Sequence, residues 1–370
     1  MESFTRTTGL YLISVSLFVL VALSPTASLR AGVVGLKDAH LAVWRLHNDK
    51  PIQNPKFAKY EISTVFALSP RHFVGTAHGF RALNVVKGVP IAGLVVTQGR
   101  GSDAVILRID RVLRVSEIHD LALFTTTEKV AHWLKLAPSS ELLAQLTAIG
   151  YPGGHNQRRM RQVGPPSRDR SVWEFQLPVD VDNLKSASGS PVLDVRGRVV
   201  GVFFRAVSNM ATALCMENLR AFGWNKEDTR WVSCGNRSFR RCYEAALENV
   251  RERARKKDPI AQGRQWLLYT QGVIDSDVDY IVALKAAAEQ NVRFAQLLLA
   301  FAYHEGDFVV ASGSKRDLWY RRAAEQGSPL AQYNLAVSSR HSNPTRSRAT
   351  LKRLAERGFV IARERLEKMQ

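Results

Sequence analysis

The chain has 370 residues, a length for two or three domains. It is 45% hydrophobic and 23% charged, which excludes a disordered polymer and leaves enough apolar side chains for real cores. The formal net charge of +19 is spread over both halves, and no nucleic-acid motif or aromatic–basic platform accompanies it, so nucleic acid is not an expected partner.

Residues 9–23 read GLYLISVSLFVLVAL, an apolar run of 15, and SPTASLRAG follows, rich in small residues. This is the layout of a secretory signal peptide over 1–28, and the run is short for a membrane span. An uncleaved anchor through residues 9–23 stays open. The expected location is secreted or periplasmic, and a membrane enters only if that segment is retained.

Residues 33–222 read as many short strands: EISTVFAL (61–68), AVILRIDRVLRV (104–115), SVWEFQL (171–177) and RVVGVFFRAV (198–207). Turn clusters SPRH, GRGS, APSS, YPGG and VGPPS separate them. Short strands at close spacing with turn signals predict an all-β sandwich or barrel. Residues 223–257 read as a linker and a helix, the helix over 241–257. Three cysteines, Cys215, Cys234 and Cys242, fall within 28 residues. In an exported protein a pair can bridge, and Cys234 with Cys242 is the local choice, leaving one thiol. The set has no close C-x-x-C pair, so no metal and no cofactor is expected.

Beyond residue 258 the composition turns to Ala, Leu, Glu, Gln and Arg, and a repeat emerges. AQGRQWLLYTQG starts at Ala261, AQLLLAFAYHEG at Ala295 and AQYNLAVSSRHS at Ala331, spaced by 34 and 36 residues. AAEQ recurs in phase at Ala287 and Ala323, and RLAERGFVIARERL closes the chain. Each unit reads as two helices that cannot bury their apolar faces alone, so stacking into an α-solenoid over 258–368 is expected. The wording LWYRRAAEQGSPLAQYNLA (318–336) resembles the Sel-one-like repeat, a relative of tetratricopeptide repeats. That resemblance implies a region that binds a protein partner, or else a stable appended domain.

Three separated stretches carry candidate chemistry. A hydroxyl becomes a nucleophile when an imidazole takes its proton, and the imidazole needs a carboxylate to fix its tautomer. His78 stands in TAH, after the strand VFAL and the turn SPRH. Asp120 opens DLAL, 42 residues on. Ser188 sits in SASGSP, a further 68 residues on, ahead of VLDVRGRVVGV. Asp103 and Asp110 are rival acids, but neither is followed by LAL. His72 and His119 read as turn or surface residues.

Over about residues 40–222 the order and spacing resemble trypsin-like serine proteases, and more closely the disulfide-free bacterial type such as the high-temperature-requirement proteases and glutamyl endopeptidases. AIGYPGG (148–154) is similar to the opening strands of their second barrel. The resemblance implies a multi-domain chain in which an all-β double β-barrel spanning 33–222 precedes the helical repeats. It implies that Ser188 attacks the scissile carbonyl, that His78 shuttles the proton and that Asp120 orients His78. It puts the oxyanion hole at the backbone N–H groups of Ser188 and Ser186. The family favours Gly at the latter position, because the loop can demand a backbone strained for a residue with a side chain. Asp182 lies six before Ser188, the spacing at which trypsins place the acid that selects Arg or Lys. If Asp182 has that role, the Arg-rich loop 157–170 is open to self-cleavage; otherwise the loop is a solvated basic surface.

Two functions follow. One is an exported serine endopeptidase acting on protein or peptide substrates that its repeats recruit. The other is a catalytically inactive protease-fold scaffold that binds through its repeats.

Overall fold

The computed structural model of the chain describes residues 31–48, 63–86, 91–99, 103–138, 145–154, 156–164, 166–169, 174–181, 184, 186–207, 210–215, 230–274, 280–306 and 308–369. The proposed signal segment 1–28 lies outside the described residues. No described helix is long and apolar enough to cross a membrane.

The β half contains β1 (Gly32–Val33), β2 (Val43–Asn48), β3 (Ser63–Ala67), β4 (His72–Thr76), β5 (Leu94–Gln98), β6 (Val105–Ser116), β7 (Leu121–Thr126) and β8 (His132–Trp133). It continues with β9 (Thr147–Gly150), β10 (Arg158–Arg161), β11 (Ser167–Asp169), β12 (Glu174–Pro178), β13 (Pro191–Leu193), β14 (Val199–Val207), β15 (Met210–Cys215) and β16 (Val232–Ser233). One seven-stranded sheet runs β16-β6-β5-β2-β3-β4-β7 and closes through a β6–β7 pairing, so β2 to β7 form a barrel with β16 added at β6. Closure removes the exposed edges that an open sheet would present. The second seven-stranded sheet runs β10-β9-β13-β14-β15-β12-β11. An isolated antiparallel bridge between Gln162 and Val179 joins the segments that follow β10 and β12.

The first barrel is filled by Phe73, Phe80, Phe124, Leu46 and Leu94, all fully buried. A second core joins Val43, Phe66 and Val74 of the first sheet to Ile149, Val192, Val202 and Phe203 of the second. The shared core explains why one residue from each sheet can be held in a fixed relation at the junction. The stretch expected to be an Arg-rich loop is partly strand: Arg158–Arg161 pairs with β9 and Ser167–Asp169 with β12. Only Met160 of the first segment turns inward, while Arg158, Arg159 and Arg161 stay exposed. One buried apolar residue and a ladder sufficed where the composition suggested a solvated loop, and Arg-rich character is how an edge strand discourages stray pairing.

A short helix α1 (Ala77–Phe80) follows β4 and runs into a π-helical turn, Arg81–Val86. The helical half comprises α2 (Phe239–Arg255), α3 (Pro259–Thr270), α4 (Tyr280–Glu289), α5 (Arg293–Glu305), α6 (Gly313–Glu325), α7 (Pro329–Ser338), α8 (Pro344–Glu356) and α9 (Val360–Glu367). The helix expected over 241–257 begins two residues earlier, because Ser238 caps it by accepting from the Arg241 N–H. Asp258-Pro259, Ser328-Pro329 and Asn343-Pro344 start α3, α7 and α8: the first side chain caps and the proline occupies the first turn, where no N–H is missed.

The AQ phrases fall at the third residue of α3, α5 and α7, and Ala261, Ala295 and Ala331 are fully buried. Each Gln reaches back to the last turn of the helix before. Gln262 donates to the Ala254 carbonyl at 3.5 Å, Gln296 to Ala288 at 3.1 Å and Gln332 to Ala324 at 3.3 Å. These carbonyls also accept the backbone N–H groups of Lys257, Asn291 and Gly327, so at each helix C-terminus a side chain of the next helix adds a second donor.

The two halves share structure. Phe239, Cys242, Tyr243 and Ala246 of α2 are buried in the core of the first barrel. A disulfide joins Cys234, just after β16, to Cys242 of α2. The Cys234 N–H also donates to Leu113 of β6 at 2.8 Å. Thus the stretch read as a linker contributes a strand to the barrel and a covalent tie to the first helix.

Candidate active site

β4 ends at Thr76, and the chain turns at once into α1, which places His78 at the rim of the first barrel. Phe80, two residues on, anchors this turn: its ring lies 5.0 Å from Phe124 and 5.7 Å from Phe239. Asp120 lies in the turn from β6 to β7 at φ +55°, a left-handed backbone that Asp tolerates better than most residues. Its backbone carbonyl accepts the Ala77 N–H at 3.0 Å. The carboxylate binds His78 twice. Oδ2 is 2.6 Å from Nδ1, and Oδ1 accepts the His78 backbone N–H at 2.9 Å. With Nδ1 donating to a carboxylate, Nε2 is left as the basic nitrogen.

Burial alone would raise the Asp120 carboxyl. The charges of His78 and Arg264 and two hydrogen bonds from His78 outweigh it and hold the group well below the usual carboxylate range. Arg264 comes from α3 and is buried. Its Nη2 donates to Glu117 Oε1 at 2.7 Å and lies 3.4 Å from Asp120 Oδ1. Arg81 Nη1 lies 3.5 Å from the same Glu117 oxygen and donates to the Tyr243 hydroxyl at 3.2 Å. Burial and the neighbouring Asp120 charge push the Glu117 carboxyl up, against the pull of the two guanidinium groups. The sequence reading missed Glu117, Arg81, Tyr243 and Arg264. Glu117 precedes Asp120 by three residues, but nothing in the sequence tied an arginine of the helical half to this turn.

Ser188 sits in a tight turn held by both sheets. Its carbonyl accepts from the Thr64 N–H at 2.8 Å and from Ser63 Oγ at 2.9 Å. Gly189 donates to Phe203 at 2.6 Å, and the Phe203 N–H donates to Ser190 at 2.9 Å. Gly189 takes φ +91°, and a Cβ there would collide with the Thr64 carbonyl, so glycine is required twice over. Ser190 is buried and donates to Ala187 at 2.6 Å, a turn-stabilising role.

The Ser188 hydroxyl donates to the Phe204 carbonyl at 3.3 Å. Among the described residues it makes no hydrogen bond to His78, whose Nε2 instead lies 3.5 Å from Thr76 Oγ1. The structure therefore joins His78 to Asp120 and leaves the serine hydroxyl turned to β14. Ser186 adopts φ +66°, in the left-handed region, and its carbonyl accepts from Thr64 Oγ1 at 3.1 Å. Among the described residues, the Ser186 and Ser188 backbone N–H groups have no acceptor.

Asp182, the proposed pocket acid, lies outside the described residues. Asp110 stands on the exposed side of β6 and accepts from Thr125 Oγ1 at 3.1 Å, and Asp103 is exposed. His72 is exposed, with Nδ1 2.7 Å from Ser69 Oγ. His119 lies in the turn before Asp120 but is buried, its ring 6.1 Å from that of Trp231, so it is not a surface residue. Among the described residues, no group of three or more His, Cys, Asp or Glu side chains converges to hold a metal.

Among solved structures the chain is similar to the active form of the Rv3671c protease from M. tuberculosis, at 18% identity and a TM-score of 0.37, covering 60% of this chain and 91% of that one. It is similar to the inactive form of that protease at 18% identity and a TM-score of 0.37, covering 50% and 88%. Deg5 matches at 16% identity and a TM-score of 0.37, again covering 50% and 88%. No curated protein matches the chain. Residues 63–202, the segment that carries His78, Asp120 and Ser188, match the sequence profile of the trypsin-like peptidase domain, and this supports reading that part of the chain as a protease domain of the serine type.

Proposed function

We propose that the protein is an exported serine endopeptidase that hydrolyses peptide bonds of protein substrates through Ser188, His78 and Asp120. In this reading Ser188 Oγ attacks the scissile carbonyl as His78 Nε2 takes its proton. The imidazolium, stabilised by Asp120, then protonates the leaving amine, and water repeats the cycle on the acyl-enzyme. The Ser186 and Ser188 N–H groups receive the oxyanion. In this reading substrate binding turns the Ser188 hydroxyl away from the Phe204 carbonyl and toward His78, since catalytic hydrogen bonds often tighten only in the bound state. The helical repeats, resembling the Sel-one-like type, stack as a short solenoid and recruit a substrate or partner protein.

The observation that carries this reading is the double grip of Asp120 on His78, which leaves Nε2 as a base. The test is labelling by a fluorophosphonate probe of the folded protein beside its Ser188→Ala variant. Labelling that the variant abolishes supports the reading, and an unlabelled wild-type protein ends it.

A second reading, an inactive scaffold, draws on the bond from Ser188 to Phe204 and on the strained Ser186. It predicts no labelling at any pH together with intact partner binding by the helices.

A further inference from the structure

The geometry points to Arg264, a residue of the helical half, as a positioning residue for the Asp120 carboxylate: its guanidinium bridges Glu117 and Asp120 and so sets how Asp120 presents itself to His78. The inference rests on the protease reading for its kinetic consequence only.

Four observations carry it. First, Arg264 is out of keeping with its place in the repeat. It is the fourth residue of AQGR, and the corresponding residues are Leu298 in AQLL and Asn334 in AQYN. An arginine at a buried repeat position needs anions to meet it. Second, both anions belong to the β6–β7 turn of the barrel: Glu117 Oε1 at 2.7 Å and Asp120 Oδ1 at 3.4 Å from the one Nη2. Third, Asp120 uses its other oxygen for His78 Nδ1, at 2.6 Å. Oδ1 also accepts the His78 backbone N–H at 2.9 Å, and Arg264, drawing on the same oxygen from the helical half, joins in fixing the rotation of the carboxylate about its own axis and with it the direction of Oδ2. Fourth, α3 is not loosely attached. Asp258 caps it and bonds Arg253 of α2, and α2 is buried in the barrel core and bridged by Cys234–Cys242.

Five segments bring charged or titratable groups to the cluster around Asp120. His78 comes from α1, Arg81 from the turn after it, Glu117 from the β6–β7 turn itself, Tyr243 from α2 and Arg264 from α3. Gln271, just past α3, accepts from Arg81 Nη2 at 3.4 Å and links the second arginine to the same helix. Orientation of the base is thus shared between the barrel and the helices.

The test uses full-length protein with Arg264→Met and Arg264→Lys. Two quantities are read: the rate of fluorophosphonate labelling at Ser188, and, in a Ser188→Ala background, the low-field NMR signal of the His78 Nδ1 proton. A fixed hydrogen bond to Asp120 keeps that proton visible. Arg264→Met is expected to slow labelling roughly 10–100-fold and to broaden or shift the proton signal, because misplacing a catalytic group by a fraction of an ångström costs rates of this order. Arg264→Lys retains charge but not the planar fork and is expected to fall between wild type and Arg264→Met. Wild-type labelling and an unchanged proton signal in Arg264→Met overturn the inference. If Arg264→Met does not fold, wild-type behaviour of Arg264→Lys on both measurements overturns it. If the wild-type protein does not label while the proton signal still responds to Arg264, the protease reading fails and the positioning role stands.

Discussion

The backbone N–H of Thr64 meets the carbonyl of Ser188 at 2.8 Å, so the second residue of a strand in the first barrel holds the serine turn that the second sheet presents. The Thr64 hydroxyl extends the grip. It donates to the Ser186 carbonyl at 3.1 Å and accepts the Tyr151 N–H at 3.1 Å. Thr64→Val keeps the shape and removes the hydroxyl, leaving a buried N–H and a carbonyl unpaired. Urea unfolding should show a loss of about 1–3 kcal/mol. Fluorophosphonate labelling should slow about tenfold as the serine turn loosens.

Ser186 at φ +66° carries a side chain where glycine is at ease. Ser186→Gly should relieve about 1 kcal/mol of strain and raise the thermal midpoint by roughly 2–4 °C. An unchanged or lower midpoint would show that the serine side chain is compensated locally.

Asp120 is held below the ordinary carboxylate range in the folded protein, so the unfolded chain binds its proton more readily. Its contribution to stability is therefore complete above the unfolded carboxylate value near pH 4 and drains away as pH falls further. Asp120→Asn should flatten the acid-side fall of the urea midpoint between about pH 4 and pH 2 relative to wild type. The same substitution should slow labelling on the order of 10⁴-fold, because the amide favours the wrong imidazole tautomer.

Removing the covalent tie between β16 and α2 should cost the helical half some of its hold on the barrel. Cys234→Ala/Cys242→Ala is expected to lower stability by about 2 kcal/mol in urea. Amide exchange should rise first in α2, and in particular around Tyr243, whose hydroxyl meets Arg81.

Local signals in the sequence were strong where a residue announces its own backbone. The strand stretches 61–68 and 198–207 contain β3 and β14, and 104–115 covers all of β6 but its last residue, since β-branched and aromatic runs between turn residues have few other uses. The pairing of His78 with Asp120 was legible because each lies beside a strand end, two residues past β4 and one before β7, with a short phrase around it. Arg158–Arg161 was misjudged because charge density hid a ladder whose single inward residue is Met160. Val232–Ser233 was passed over because two residues carry no periodicity; only the edge of β6 makes them a strand. Arg264 was invisible for a deeper reason. Its meaning lies in a turn far up the chain, and no local pattern encodes such a pairing.

The strand Val232–Ser233 has a practical consequence for anyone seeking a minimal fragment. The polypeptide leaves the second sheet, returns to the first barrel to lay down β16, and only then enters the helices. A cut at residue 222 would strip the barrel of a strand, the bridge at Cys234 and the aromatic plug of Phe239 and Tyr243. A cut at residue 258 would spare those and still leave Glu117 facing Arg81 without Arg264. The boundary that respects the molecule's own joinery falls no earlier than the end of α3, near residue 271.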